Sequence, residues 1–264
     1  RPEIVARNQG LYLIFDLGRE EVGFLDLDIE AGPGTIIDLA HGEHLADQRV
    51  RATVGGRHFA NRIVCRDGRT QLTHVLRRLG GRYLELHIFP TDTRLAVYRV
   101  TLRPSPYPLQ NRGTFICSDS LHNRIHEVSR RTLHLCMHEH YEDCPWREQA
   151  LYAMDSRNQA LCGYYCFGEY DFPGVSFALL GDSLQPDGFL ELIAPSTFSR
   201  TIPSFSMAWI IEVWEHFLYS GRSDDLRRQF AAVRQILEKR LTTMIDGLLP
   251  TPTASHCWNF YEWA

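Results

Sequence analysis

Asp143, Glu148 and Asp155 bring three carboxylates into the stretch Asp143-Cys144-Pro145-Trp146-Arg147-Glu148-Gln149-Ala150-Leu151-Tyr152-Ala153-Met154-Asp155, and Arg147 adds a guanidinium. A carboxyl that protonates a leaving oxygen, set among groups that hold hydroxyls, is equipment for cleaving a glycosidic bond. The planar fork of Arg147 suits a carboxylate or sugar hydroxyls. Trp146 and Tyr152 offer aromatic faces for the apolar side of a sugar ring. Pro145 fits a first helical turn and Asp143 fits a cap, which predicts a helix from about Pro145 to Phe167. Glu148 and Asp155 would then lie about two turns apart on one face. A simpler reading of the same residues is a capped, solvated helix start, because acidic groups favour the positive end of a helix dipole.

What separates the two readings is a resemblance. The stretch resembles the signature of the bacterial α-L-rhamnosidases, glycoside hydrolase family 78, D-C-P-x-R-E-x-x-G-W-x-G-D. Asp143, Cys144, Pro145, Arg147, Glu148 and Asp155 fall in register with no gap. Leu151, Tyr152 and Met154 depart from it, standing where the family has Gly, Trp and Gly; these positions line the family's sugar pocket, so the departures bear on the sugar more than on the reaction. The segments Asp16-Leu17-Gly18-Arg19-Glu20 and Gly42-Glu43-His44-Leu45 resemble, more loosely, the β-sandwich domain that precedes the catalytic domain in that family.

The resemblance implies an (α/α)6 toroid of paired helices and hydrolysis with inversion. It makes Glu148 the general acid, and gives Asp143, Arg147 and Asp155 the binding and orientation of rhamnose hydroxyls. An acid of this kind must stay protonated near neutral pH, which burial or a neighbouring Asp143 or Asp155 would favour and Arg147 would oppose. The family's general base is a Glu in the later half of the toroid. Five helical stretches are read here, fewer than a complete toroid needs. The base is therefore expected outside this chain, and the chain alone is expected to be inactive. Apolar helix faces left uncovered favour self-association into a homo-oligomer.

The 264 residues suffice for one large or two ordinary domains, and the 44% hydrophobic and 23% charged fractions are those of a globular protein. With a formal net charge of -4 and no basic run, nucleic acid is not an expected partner. No apolar stretch is long enough to span a bilayer, so no membrane partner is expected either. Arg1-Pro2-Glu3 is not a signal peptide and lacks an initiator Met, so an excised piece is expected, from which a targeting signal could have been lost. Seven cysteines without a C-x-x-C pair favour reduced thiols and a cytoplasmic protein. Cys162 and Cys166 are read as small core residues.

The fold class expected is multidomain, α and β: an antiparallel β-sandwich over residues 1–112, then the first helices of the toroid over residues 113–264. Short runs at 11–15, 22–29, 35–39, 58–65, 70–76, 83–89 and 95–102 read as strands. Asp16-Leu17-Gly18 ends the first run, and Ala31-Gly32-Pro33-Gly34, Gly55-Gly56, Asp67-Gly68 and Gly80-Gly81 read as turns. Arg103-Pro104-Ser105-Pro106-Tyr107-Pro108, with prolines at alternate positions, is the expected linker. One more strand is expected at 113–118. Helices are expected from Asp119 onward, then at about 173–183 and 203–219, the latter ended by Gly221, and a last one capped by Ser223. His134, Cys136, His138 and His140 have no standard zinc spacing and read as a polar helix end, so no metal or other cofactor is expected.

Trp209 and Trp214 fall in a helical apolar pattern and read as packing residues. Trp258 and Trp263 follow a proline-rich loop, and for them a pocket edge and packing remain equal alternatives. Glu262 is a second carboxylate with no independent support. The leading expectation is a glycoside hydrolase that releases terminal α-L-rhamnose from a glycoside or oligosaccharide. Its site residues are Glu148, Asp143 and Asp155 for catalysis and Arg147, Trp146, Tyr152 and Trp258 for substrate binding. The alternatives are a six-hairpin glycosidase for another sugar and a non-catalytic carbohydrate-binding protein.

Overall fold

The computed structural model describes residues 10–261, and the chain divides into two compact units. The first comprises residues up to Pro106 together with Cys144–Glu148, and the second comprises Tyr107–Asp143 and Gln149 onward. Glu262 and Trp263 lie outside the described residues.

The first unit is antiparallel β throughout. Its strands are β1 (Leu11–Ala31), β2 (Ile36–Gly42), β3 (Leu45–Ala46), β4 (Arg49–Val50), β5 (Thr53–Val54), β6 (Arg57–His58), β7 (Ala60–Val64), β8 (Gly68–Ile88) and β9 (Ala96–Pro104). Five of them form a sheet in the order β7-β2-β8-β1-β9, and β3-β4 and β5-β6 are separate hairpins. The first half of β1 pairs with the end of β8, which also carries β2, while the second half of β1 pairs with the start of β8 and with β9. Both halves bury one core. Leu13 and Phe15 pack with Leu84, Leu86, Ile37 and Leu39, and Leu25, Leu27 and Ile29 with Val100 and Leu102. The antiparallel sheet expected from the sequence is present, as one five-stranded sheet whose two halves share a core.

One expected strand end and one expected turn lie inside strands. Asp16-Leu17-Gly18 lies inside β1, where the pairing with β8 slips between Asp16 and Glu21. The Asp16 carboxylate accepts the Gly18 N–H and both ends of the Arg82 fork, so the strand bulges without reversing. Gly80-Gly81 lies inside β8, in register with Val22 and Glu21. A Cβ on Gly80 would stand 2.0 Å from the Pro145 carbonyl oxygen, and one on Gly81 would stand 2.7 Å from the Gly42 oxygen. These glycines serve close backbone approach within a strand. By contrast, Gly55-Gly56 does reverse the chain: both have positive φ, 56° and 76°, as the tight β5-β6 hairpin requires.

The second unit holds α1 (Ser120–Leu135), α2 (Ala153–Cys166), α3 (Asp171–Asp182), α4 (Pro203–Ser220) and α5 (Ser223–Thr243). Asp119 caps α1 by accepting the Leu121 N–H. Pro203 opens α4, and Gly221 closes it at φ 70°. Ser223 is the first helical residue of α5; the position before it is Arg222, which makes no side-chain cap bond. The strand expected at 113–118 is absent. That segment is held instead by Gly113 N–H to the Cys166 carbonyl and Cys117 N–H to the Asn123 side chain. Trp209 is fully buried at the centre of the helical core, its indole N–H donating to the Phe177 carbonyl. Trp214 is half exposed beside Phe217, on the outer side of α4, because only one face of that helix meets its neighbours. Cys162 is exposed and not a core residue, whereas Cys166 is partly buried.

Gly80→Ala should lower stability by about 1–3 kcal/mol, because the added methyl meets main chain that cannot rotate away. A thermal unfolding midpoint equal to the parent's would show that the Pro145 segment yields at no cost.

Candidate active site

The acidic stretch is not one helix. α2 begins at Ala153, and residues 145–152 are non-helical. The Asp143 N–H donates to the Ala150 carbonyl at 2.9 Å, and the Asp143 carboxylate accepts the Ala150 N–H at 3.0 Å. Gln149 turns the chain with φ 55°. Asp143 thus closes a loop and does not cap a helix. Glu148 and Asp155 consequently do not share a helix face: Glu148 belongs to the first unit and Asp155 to the second.

Within the sheet unit, Trp146 fixes the loop. It is 4% exposed, with its ring 4.8 Å from Phe59 and edge-on to His44 at 5.8 Å. Gly42 leaves room for the indole, since a Cβ there would stand 3.1 Å from it. Trp146 is therefore an internal anchor and presents no face for sugar stacking, contrary to the expectation. The Gly42-Glu43-His44 cluster is part of the seat for this ring. His41 supports the seat from beneath. Its Nδ1 lies 2.9 Å from the Gly80 carbonyl, and burial pulls its pKa down to about 4, so the ring is neutral and Nδ1–H donates. Burial pushes the Glu43 carboxyl up, against the pull of His44 and Arg147.

Two residues beyond Trp146, Glu148 is largely covered. Its N–H donates to the Cys144 sulfur at 3.3 Å. Its Oε1 lies 3.4 Å from Arg147 Nη2 and 3.5 Å from Arg57 Nη1. Arg147 is the cation the sequence places beside this carboxyl, and Arg57 is a second that the sequence does not indicate.

Within the helical unit, Asp155 stands in the first turn of α2, where the helix dipole favours a negative charge. Tyr152 precedes that turn. Its ring meets Phe205 edge-on at 6.5 Å, Phe205 meets Phe260 at 6.4 Å, and Phe260 meets Trp258 at 5.1 Å. The C-terminal segment is held against the start of α4 by Trp258 N–H to the Thr201 carbonyl and by Ser204 Oγ to the Phe260 carbonyl. The result is a row of four aromatic rings along the N-terminal ends of α2 and α4. Trp258 and Tyr152, singled out from sequence, belong to it. The sequence does not single out Phe205 or Phe260; the place of Phe205 in the first turn of the helix opened by Pro203 is the available signal. Leu151 is buried, with its carbonyl accepting the Ala194 N–H, so this departure from the signature changes packing and not a sugar-facing surface.

Among the described residues no group of three or more His, Cys, Asp or Glu is arranged to hold a metal ion. His134 and His140 each place a ring nitrogen 2.7 Å from a main-chain carbonyl, of Tyr107 and Tyr141 respectively.

Residues 110–264 match the family model for the bacterial alpha-L-rhamnosidase six-hairpin glycosidase domain, and residues 7–102 match that for the bacterial alpha-L-rhamnosidase concanavalin-like domain. The crystal structure of a GH78 family rhamnosidase from a Bacillus species aligns with a TM-score of 0.90 and 32% identity, covering 99% of this chain and 27% of that one. A rhamnosidase from Klebsiella oxytoca with rhamnose bound aligns with a TM-score of 0.77 over 98% of this chain and 53% of its own; at 19% identity that likeness concerns the fold alone. A curated alpha-L-rhamnosidase of Formosa agariphila is 28% identical over 181 residues, 65% of this chain and 19% of that protein. The chain thus spans only part of each of these relatives.

The turn that carries Asp155 is tied to α4 by polar groups. Ser156 Oγ–H donates to Glu212 Oε1 at 2.6 Å, and Arg157 forks onto Glu215 at 2.6 and 2.8 Å. Glu212 is 1% exposed, and Oε2 has no hydrogen-bond partner among the described residues. Burial raises its pKa well above the ordinary 4.5, against the pull of Ser156 and Arg157. A carboxyl raised on folding holds its proton in the folded state after the unfolded chain has lost it. Its contribution to stability therefore falls as pH rises past the ordinary value. Glu212→Gln, neutral at every pH, should gain stability relative to the parent between about pH 4 and pH 8. A difference in unfolding midpoint that stays constant over that interval would show that Glu212 is ionised in the fold.

Proposed function

Because the chain belongs to the bacterial α-L-rhamnosidases through the match of its helical part to their six-hairpin glycosidase domain, we propose that it is the portion of a glycoside hydrolase that carries the general acid for releasing terminal α-L-rhamnose. The substrate is a rhamnose-containing glycoside or oligosaccharide. Glu148 donates the proton to the leaving oxygen. Asp143, Arg147 and Asp155 bind and orient the sugar hydroxyls. Tyr152 and Trp258, joined by Phe205 and Phe260, offer aromatic faces for the apolar side of the ring. The mechanism is inversion, in which a second carboxylate activates water on the opposite face of the sugar. That base is assigned to no residue of this chain.

The observation that carries this reading is the closed loop from Asp143 to Ala150. It holds Arg147 and Glu148 on a short segment pinned at both ends, by the Asp143–Ala150 hydrogen bonds and by the buried Trp146 ring. A segment that merely capped a helix would need neither device. Preorganisation of this kind is what a proton donor requires, since only groups already in place at the transition state lower the barrier.

The test is rhamnose release by the full-length protein that contains this chain, compared with its Glu148→Gln variant. Loss of the acid should cost about 10²–10⁴-fold on a rhamnoside with an alkyl leaving group. The loss should be smaller on nitrophenyl α-L-rhamnoside, whose leaving group departs with little protonation. Equal activity of variant and parent on both substrates would remove Glu148 from the acid role. Rhamnose binding by the folded full-length protein without turnover would favour a carbohydrate-binding role.

A further inference from the structure

The helical unit contains a cavity of about 640 Å³ between the start of α4, the end of α5 and the proline-rich segment that follows. Its volume is in the range of sites that take small molecules. Phe189, Met207 and Leu249 give it an apolar wall, Thr251 and Thr253 add hydroxyls, and Tyr261 adds a largely exposed ring. Ser204, which also lines the cavity, donates its hydroxyl to the Phe260 carbonyl. Phe260 belongs to the row of rings that runs to Tyr152, so the cavity adjoins that row at the first turn of α4.

One cation lines this space. Arg240 lies on the Phe189 ring, its guanidinium carbon 3.9 Å from the ring centre, and Nη2 donates to the Asp187 carbonyl at 2.8 Å. Among the described residues its Nε is buried with no hydrogen-bond partner, and the guanidinium makes no ion pair. The Asp187 carboxylate is engaged elsewhere: Oδ1 accepts the Phe189 N–H at 3.0 Å, and Oδ2 lies 2.7 Å from His256 Nε2. Burial pulls the Arg240 pKa down in spite of Asp187, as for a cation incompletely compensated. Fastening the Gln185–Gly188 turn does not account for this arginine, because Lys239 already ties that turn through the Pro186 carbonyl. Nη1 and the second N–H of Nη2 remain for a ligand, and a planar fork of this kind matches a carboxylate.

We propose that this cavity is a subsite for a uronic acid residue of the rhamnose-containing glycoside, with its carboxylate on Arg240, its hydroxyls toward Thr251 and Thr253, and its ring against Tyr261. This rests on the reading of the chain as part of a rhamnoside hydrolase, and it makes the sugar joined to rhamnose an acidic one. A neutral sugar that displaced water from the guanidinium would leave it without a partner, which is the basis for discrimination.

The experiment uses the full-length protein and two rhamnosides of one linkage, rhamnosyl-glucuronate and rhamnosyl-glucose. The parent should favour the glucuronate about tenfold or more in kcat/KM, as a charge-assisted pair discriminates. Arg240→Gln should bring that ratio to about one, and Arg240→Lys should keep part of it. Thr243→Glu puts a carboxylate three residues along α5 from Arg240, close enough to serve as its counter-ion, and leaves the packing on Phe189 in place. It should lower the ratio in the same way, and it carries the test if Arg240→Gln fails to fold. A parent ratio near one, or a ratio unchanged in the folded variants, overturns the subsite and leaves the acid role of Glu148 intact. Saturation-transfer NMR with methyl glucuronide and methyl glucoside gives a reading that needs no turnover. The parent should bind the glucuronide more tightly, and Thr243→Glu should remove the difference. Equal binding of the two by the parent overturns the subsite even if rhamnose release itself fails.

Discussion

Gly80 leaves room for the Pro145 carbonyl where a Cβ would stand 2.0 Å from its oxygen, and the loop that carries Arg147 and Glu148 depends on that approach. A strand interior ordinarily excludes glycine, which weakens pairing and contributes no side chain to the core. Here β8 contains two in succession, and each makes room for main chain: Gly80 for Pro145 and Gly81 for Gly42. With the backbone admitted this closely, the Trp146 ring enters the space between Gly42, His44 and Phe59. A buried indole of this size contributes on the order of 2–3 kcal/mol or more of apolar burial, far more than any exposed ion pair nearby. Packing therefore positions the loop, and the charges act on a geometry already determined.

The same constraint explains why the acidic stretch misleads as a sequence. Asp before Cys-Pro, with an apolar run after it, has the form of a helix start, and the local signals are satisfied equally well by a loop that precedes one. What decides is the tertiary contact of Trp146 and the pair of hydrogen bonds between Asp143 and Ala150, neither of which leaves a periodic trace. α2 then begins at Ala153 without any side-chain cap, so no polar residue marks its true start. The strand pattern shows the converse error. Gly80-Gly81 and Asp16-Leu17-Gly18 carry turn chemistry, yet the chain continues through both, because a glycine needed for close approach or for a bulge is the same residue as one needed for reversal.

Where local chemistry governs, the sequence is legible. Gly55-Gly56 needs positive φ at both positions and forms the hairpin. Pro203 and Gly221 mark the ends of α4, and Asp119 caps α1. The alternation of Leu25, Leu27 and Ile29 with Asp26 and Asp28 places the leucines and isoleucine in the core. The two carboxylates meet Arg99, Arg103 and Arg69 instead, and Arg69 and Gln71 hold Asp28 down to about 2. The acidic stretch is legible in a different sense. Its residue types match the family signature, but their spacing along the chain does not report which unit each joins. Arg57 and Phe59 illustrate the limit, since nothing in their neighbourhood connects them to a motif far downstream.

The helical unit shows how a site can be made rigid at a cost in stability. Burying Glu212 with one oxygen unpartnered is unfavourable, and an apolar residue there would remove the penalty. The position is nevertheless occupied by a group that fastens Ser156, next to Asp155, to α4, while Arg157 and Glu215 make a second tie one position further on. Two directional contacts in adjacent positions fix the rotation of α2 about its own axis, which apolar packing alone leaves loosely specified. A carboxylate in the first turn keeps its direction only if that rotation is fixed. The polar ties between α2 and α4 thus fix the turn that carries Asp155, as the buried indole fixes the loop that carries Glu148.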